Sequence, residues 1–314
     1  MNLKDLAYFV ALVEEGSFTK AAARMGVSQP TLSTQVKRLE QDLGASLVER
    51  STQKLILTPV GKEVAKRAED IVLAASDLEH AAAAQADPGA SEITLGIFPT
   101  LCQYFLAHLL PLLRRERPRL RMRFVECRSP VLKENLIGGE VDAILLAEPF
   151  EHRSVTQVPL FREDFLLAVP AGSELEQPGE VHMEDLKETT LTLVNQDHCL
   201  RGQTEEVCRA AGALSSQFAA TSLETLRYLV AWGEAVTLVP RLAACPPIDQ
   251  PEGMVLREFA APKPGRDISL FWRTSSGLNP VLEDFAALIR RAFTPSATAP
   301  LLTYQMNTIT LSNS

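Results

Sequence analysis

Cysteine offers this chain its most distinctive chemistry. Five cysteines occur among 314 residues; Cys199 stands between His198 and Arg201, and Cys208 follows nine positions on. A cysteine reduces a peroxide as its thiolate, so a reactive site must favour that anion and stabilise charge on the departing oxygen. His198 and Arg201 offer positive charge beside the sulfur, and Thr100 and Ser129 offer hydroxyl donors if folding brings them near. The first product, a sulfenic acid, condenses with a nearby thiol to a disulfide. On spacing alone, two thiols nine apart are more often unrelated. Cys102, Cys127 and Cys245 read as packing residues, since buried cysteine behaves as a small hydrophobe.

The nine-residue spacing has a geometric consequence. Positions nine apart on one helix point to opposite faces and lie about 13 Å apart along its axis. A disulfide needs Cα atoms within roughly 7 Å. A bond between Cys199 and Cys208 therefore requires a loop, or a helix that is rebuilt.

The elements that must position these residues follow from length and pattern. A chain of 314 residues exceeds one ordinary core and predicts two or three domains. No apolar run approaches the roughly 20 residues of a membrane span, and the start lacks a leader's apolar stretch, so a cytosolic protein is expected. In a reducing compartment five cysteines do not make a structural disulfide framework. The net charge of -8 excludes a protein that coats nucleic acid along its whole surface. It leaves room for a local basic element, and residues 1–67 carry ten Lys/Arg against seven Asp/Glu, a balance of +3. No cofactor or metal-ligand motif is legible.

In that basic stretch, Leu3, Leu6, Val10 and Val13 predict a first helix stopped by Gly16, and a short second helix fits Thr19 to Arg24. A third begins at the cap Ser28 with Pro30 in its first turn, and buries Leu32, Val36, Leu39 and Leu43. Thr34, Lys37 and Arg38 then face outward, with Ser33 on the flank. This is the helix-turn-helix arrangement. Residues 46–57 predict a small two-stranded wing. Thr58-Pro59 restarts a long helix whose seam is Val60, Val64, Ala68, Ile71, Ala75 and Leu78, a face suited to pairing with another chain. Residues 81–91 read as a hinge.

Beyond the hinge, short apolar strands alternate with amphipathic helices and predict parallel α/β layers in two lobes joined by crossing strands, with a crevice at the strand ends. The expected fold class is α+β multidomain: a winged helix-turn-helix (1–58), a linker and hinge (59–90), and a two-lobed α/β regulatory domain like the periplasmic binding proteins (91–293). Lobe I takes residues 91–163 and 266–293, and lobe II takes 164–265. The Ser/Thr/Pro-rich tail, 294–314, is expected to be disordered.

Ala21-Ala22, Val27-Ser28-Gln29-Pro30-Thr31-Leu32-Ser33, Leu39-Glu40, Leu43-Gly44, Glu49-Arg50 and Leu57-Thr58-Pro59-Val60-Gly61 resemble the winged helix-turn-helix of LysR-type transcriptional regulators. His198-Cys199-Leu200-Arg201, Cys208, Thr221-Ser222-Leu223-Glu224-Thr225-Leu226-Arg227 and Ile97-Phe98-Pro99-Thr100 are similar to the peroxide-sensing OxyR branch of that family. The resemblance implies a DNA-binding regulator, an activator of antioxidant genes, and not an enzyme. Hydrogen peroxide would oxidise Cys199, and Cys208 would resolve it, with Arg266 completing a pocket of Thr100, Ser129, His198 and Arg201.

Implied partners are double-stranded operator DNA, RNA polymerase, and a thiol reductant such as glutaredoxin or thioredoxin, for a homo-oligomer built as a dimer of dimers. In the helix-turn-helix setting Gln29, Pro30 and Ser33 are candidates for base edges, and Ser28, Thr31, Lys37, Arg38 and Arg50 for phosphates, with Lys54 in the wing and Thr19 at a helix start. Three residues depart from the pattern: Asp197 for glycine, Ser129 for threonine, and Gln53 for arginine. The rival reading is a regulator of the same family that binds a small effector in the inter-lobe cleft, its thiols inert. A thiol peroxidase is disfavoured by the helix-turn-helix, and an exported binding protein by the missing leader.

Overall fold

The computed structural model of the protein describes residues 1–49, 55–196 and 199–293. It divides into two compact units, the first Met1–Ala86 with Ser275–Leu278 and the second Asp87–Thr274 with the chain from Asn279. Arg50, Gln53, Lys54, Asp197, His198 and the tail from Thr294 lie outside the described residues.

In the first unit, α1 (Leu3–Glu15), α2 (Phe18–Arg24) and α3 (Gln29–Leu43) precede a two-stranded wing of β1 (Val48–Glu49) and β2 (Ile56–Leu57), and α4 (Pro59–Ala86) closes it. Asn2 and Asp5 form a reciprocal capping box on α1, Ser17 caps α2, and Ser28 caps α3 by accepting from the Thr31 N–H at 3.3 Å. Gly16 and Gly44 end α1 and α3 in the left-handed conformation. Phe9, Leu12, Ala21, Leu32, Val36, Leu39 and Leu47 fill the core. Leu43 departs from the expected stripe and stands 39% exposed, as the last helical residue before the chain reverses at Gly44.

The expected seam of α4 is divided. Val64 and Ala68, joined by Ala65 and Val72, pack on this core, whereas Val60, Ile71 and Leu78 remain exposed. At 3.6 residues per turn a 28-residue helix turns its apolar positions to more than one side, so the helix-turn-helix takes part of the stripe. The helix also runs through Ala86, so the break is shorter than the expected 81–91 and is confined to the turn at Pro88–Ala90.

The second unit begins with β3 (Glu92–Ile97), α5 (Pro99–Glu116), β4 (Arg121–Glu126), α6 (Ser129–Gly138) and β5 (Ala143–Leu146). A 16-residue strand, β6 (Val155–Pro170), leads to β7 (Thr190–Val194), α7 (Cys199–Ala211), β8 (Leu214–Ala220), α8 (Leu223–Ala231), β9 (Thr237–Pro240) and β10 (Met254–Arg257). The chain returns through β11 (Gly265–Arg273) and α9 (Asn279–Phe293). The main sheet runs β4-β3-β5-β11-β6-β10 with β9 also on β6, and β7 and β8 pair separately.

The expected parallel layering holds for β3 with β4 and β5, and for β7 with β8. It fails at β6 and β11, which are antiparallel to their neighbours. The cause is β6: its first part, Val155–Asp164, pairs with β11, and its second, Phe165–Pro170, with β9 and β10. One strand thereby serves two groups of elements, and the returning β11 must run against it.

The start of α4 depends on a close backbone approach. Thr58 Oγ1 donates to the Ser46 carbonyl at 2.7 Å and accepts from the Gly61 N–H at 2.9 Å. A Cβ on Gly61 would fall 2.0 Å from the Leu47 carbonyl oxygen. Gly61→Ala is expected to destabilise this unit by about 1–3 kcal/mol through overpacking, read by urea denaturation.

Candidate functional site

Two parallel strands set the site. β3 ends at Ile97 and α5 starts at Pro99; β4 ends at Glu126 and α6 starts at Ser129. The Cys127 N–H donates to the Ile97 carbonyl at 3.3 Å, which holds the two exits side by side. Thr100 and Ser129, in the first turns of their helices, are thus buried at one sheet edge. The head of α7 meets the same edge: Gln203 Nε2 donates to the Ala147 carbonyl, just past β5, at 3.4 Å. Cys199 is the first residue of α7, and the Thr100 hydroxyl acts on its sulfur as a donor that favours the thiolate.

Behind Thr100 stands Arg266. Its Nη1 donates to Thr100 Oγ1 at 3.1 Å and its Nη2 to the Thr100 carbonyl at 3.0 Å. Nε donates to Glu163 Oε2 at 2.8 Å, and the other carboxylate oxygen accepts from the Leu242 N–H at 2.9 Å. The guanidinium lies 5.1 Å from the centre of the Phe98 ring. Arg266 and Glu163 are direct cross-strand partners of β11 and β6, with side chains only 1% and 2% exposed. A Cβ on the adjoining Gly265 would sit 2.5 Å from the Glu163 carbonyl oxygen, so this approach requires glycine. A hydroxyl that accepts from arginine keeps its single proton free to donate, and the Thr100 hydroxyl favours the Cys199 thiolate.

Burial sets the sign of the Cys199 equilibrium. It pushes the thiol above its ordinary range, against the lowering by Arg266, by the Thr100 hydroxyl and by the Leu200 backbone, while Glu148 adds to the rise. The protonated thiol is thus the resting form, held beside donors that favour the anion. Cys208 is buried on the opposite face of α7, its sulfur 3.9 Å from the Leu214 carbonyl; burial raises this thiol too, and the Ser215 hydroxyl partly offsets the rise. Both thiols are free. Nine helical rises put their backbones about 13 Å apart, beyond disulfide reach while α7 is intact.

Of the residues expected around the sulfur, Thr100, Ser129 and Arg266 gather at this edge, and Arg201 does not serve it. Arg201 Nη1 donates to the Val194 carbonyl at 3.3 Å and its Nε pairs with Glu205 at 2.8 Å. The reason is helical geometry, because a residue two places after Cys199 lies roughly 200° around the axis. The cation acting on the sulfur comes instead from β11. Sequence reasoning missed Glu163 and Glu148. A signal for Glu163 existed: an acid takes the inward parity between Phe161 and Phe165 in β6. Cys102 is buried, its thiol pushed up to about 12 by burial and then by a hydrogen bond with Glu126. Burial also raises Cys245, partly offset by Arg241.

A second candidate surface lies on α3. Ser28, Gln29, Pro30, Thr31, Lys37 and Arg38 are exposed there, Ser33 is half-buried, and Thr19 is exposed on α2. Three hydroxyls are already engaged. Ser28 and Thr31 lie 2.7 Å apart across the cap, and Thr34 donates to the Pro30 carbonyl at 2.8 Å. The longest polar side chains on this face are those of Gln29, Lys37 and Arg38.

A helix-turn-helix with a wing, a long helix and a mixed α/β unit define a bacterial regulator. Residues 3–62 match the bacterial regulatory helix-turn-helix of the LysR family, and residues 86–294 match the LysR substrate binding domain. The chain belongs to the LysR family of DNA-binding transcription regulators, and the family's members are regulators, not enzymes.

Within that family it is OxyR-like. It is 37% identical over 92% of its length to the "DNA-binding transcriptional dual regulator OxyR" of Escherichia coli (strain K12), covering 95% of that protein. It is 39% identical to the "Probable hydrogen peroxide-inducible genes activator" of Mycobacterium avium, over 92% of this chain and 93% of the other. A full-length OxyR variant from Pseudomonas aeruginosa superposes with a TM-score of 0.76 at 34% identity, covering 92% of this chain and 95% of that one. Among the described residues no helix is long and apolar enough to cross a membrane.

The Thr100 hydroxyl is the side-chain donor that favours the Cys199 thiolate. Thr100→Val is expected to raise the Cys199 thiol further and slow its alkylation near neutral pH by about tenfold, read by peptide-resolved mass spectrometry. In the unaltered protein, alkylation is expected to quicken about tenfold per pH unit above neutrality while the thiol stays protonated, because only the thiolate attacks.

Proposed function

We propose that this regulator senses hydrogen peroxide through Cys199 and Cys208 and activates antioxidant genes. The observation that carries the reading is the placement of Cys199 on the Thr100–Arg266 donors at the head of a helix whose far face holds a second thiol. The Cys199 thiolate attacks one peroxide oxygen, the O–O bond breaks, and hydroxide leaves and is protonated to water, with a sulfenic acid remaining. The Cys208 thiol then displaces the sulfenic oxygen as a second water and forms the disulfide. Closing a gap of about 13 Å to less than roughly 7 Å requires α7 to unwind. Thiol reduction by glutaredoxin or thioredoxin resets it.

In this reading residues 1–58 bind double-stranded operator DNA, with Gln29, Pro30 and Ser33 toward base edges and Thr19, Ser28, Thr31, Lys37 and Arg38 toward phosphates, joined by Arg50 and Lys54 of the wing. Residues 59–90 link and pair subunits through the exposed Val60, Ile71 and Leu78. Residues 91–163 and 266–293 form one lobe and residues 164–265 the other, and the assembly is a dimer of dimers that engages RNA polymerase in the cytoplasm. Ser129 and His198 join Thr100 and Arg266 around the sulfur.

The test is stoichiometric peroxide on the full chain with thiol mass spectrometry and DNA footprinting. The expected result is a Cys199–Cys208 disulfide with an altered footprint, and a trapped sulfenic acid in Cys208→Ser. An unoxidised Cys199 with an unchanged footprint would favour the effector-binding alternative. The strength of α7 supplies a further check. Gly202 lies inside it, where an added Cβ meets nothing within 4 Å. Gly202→Ala is expected to stabilise the helical dithiol form by about 0.5–1 kcal/mol and to slow disulfide closure two- to fivefold, roughly what that energy implies.

A further inference from the structure

We propose that Glu163 is a positioning residue for the Cys199 chemistry: its carboxylate holds Arg266 from behind, so that Nη1 and Nη2 both fall on Thr100 and the Thr100 hydroxyl proton is committed to the sulfur. The proposal rests on the reading of Cys199 as the reactive thiol and extends it to a residue that touches neither the sulfur nor its oxidant.

Three features of the structure argue for it. The pair is fixed by strand register: Arg266 on β11 and Glu163 on β6 are directly opposed, next to the close backbone approach at Gly265. Each carboxylate oxygen is engaged, Oε2 by Arg266 Nε at 2.8 Å and Oε1 by the Leu242 N–H at 2.9 Å, so the carboxylate cannot swing without giving up a partner. The guanidinium is correspondingly locked, with Nε on Glu163 and both terminal nitrogens on one threonine. A planar fork held at its Nε edge presents its other two nitrogens in one direction only. Without that anchor, an arginine beside a buried sulfur has other acceptors to choose from.

The carboxylate also tempers the charge it positions. An anion at 2.8 Å offsets part of the guanidinium's field, so Arg266 acts on Cys199 by two routes, its remaining charge first and the oriented hydroxyl second. Orientation and charge can therefore be separated by substitution. Glu163→Gln keeps an acceptor for Nε and removes the offsetting anion, whereas Glu163→Ala removes both.

The experiment measures the pH midpoint of Cys199 alkylation by iodoacetamide in the full-length protein, resolved by peptide mass, for Glu163→Gln, Glu163→Asp and Glu163→Ala, each alone and with Thr100→Val. The expected result is a midpoint that falls in Glu163→Gln and rises in Glu163→Ala by about one unit, a tenfold loss of rate near neutral pH. Glu163→Asp, which keeps the charge on a shorter reach, falls between wild type and alanine. In the Thr100→Val background Glu163→Ala adds no further rise, because the hydroxyl through which it acts is gone.

Midpoints that move the same way in glutamine and alanine, or effects of Glu163→Ala and Thr100→Val that simply add, would overturn the proposal. If alanine fails to fold, the opposite displacements of glutamine and aspartate carry the same test. Peroxide oxidation of Cys199 in the wild type is followed separately. A thiol that alkylates but ignores peroxide defeats the sensing reading and leaves the Glu163 result intact.

Discussion

A buried ion pair ties two long strands of the second unit to the thiol site. Arg266 and Glu163 face each other at the point where β6 stops pairing with β11 and begins to pair with β9 and β10. A charge pair almost fully removed from water is costly to assemble, and removing either partner of such a pair costs roughly 3–5 kcal/mol. It persists here because each charged atom has a partner: each carboxylate oxygen has a donor, each guanidinium nitrogen has an acceptor on Glu163 or Thr100, and the cation also meets an aromatic face. The same arrangement that tolerates the charge at the strand crossing also fixes the hydroxyl beside the reactive thiol.

That economy links redox chemistry to shape. The sulfur sits on α7, the hydroxyl on α5, the cation on β11 and the anion on β6, and the anion also holds the Leu242 backbone after β9. Oxidation of Cys199 replaces a hydrogen-bonded thiol with a bulkier group in a site where burial dominates. A packed and fully bonded site has little capacity for gradual deformation, so the expected response is displacement of the sulfur's own helix. The head of α7 is suited to that role. Its first residue is the thiol, and Gly202 weakens the first turn.

The raised thiol of Cys199 fits a sensor that must wait. A fully ionised thiolate at a half-buried position would react with many electrophiles. A protonated thiol next to donors that favour the anion keeps the reactive thiolate a small share of the total. Cys208, buried against the start of β8, is kept out of reach by the helix itself. The separation of the two thiols is therefore maintained by backbone hydrogen bonds and not by distance in sequence.

The sequence by itself determined the first unit almost entirely, because its signals are local: the caps Ser28 and Thr58, the stops Gly16 and Gly44, and the stripe Leu32, Val36 and Leu39 each act within a few residues. It also marked Cys199 and Cys208 and showed that one helix cannot hold them bonded. Tertiary structure decided what surrounds the sulfur. Arg201, adjacent in sequence, turns away around the helix, while Arg266, 67 positions beyond Cys199, arrives on an antiparallel strand whose register against β6 no local pattern specifies. Glu163 was visible as an acid at an inward position of a strand. Its partner became apparent only when β6 and β11 were laid side by side, since pairing between strands 103 residues apart depends on the whole sheet.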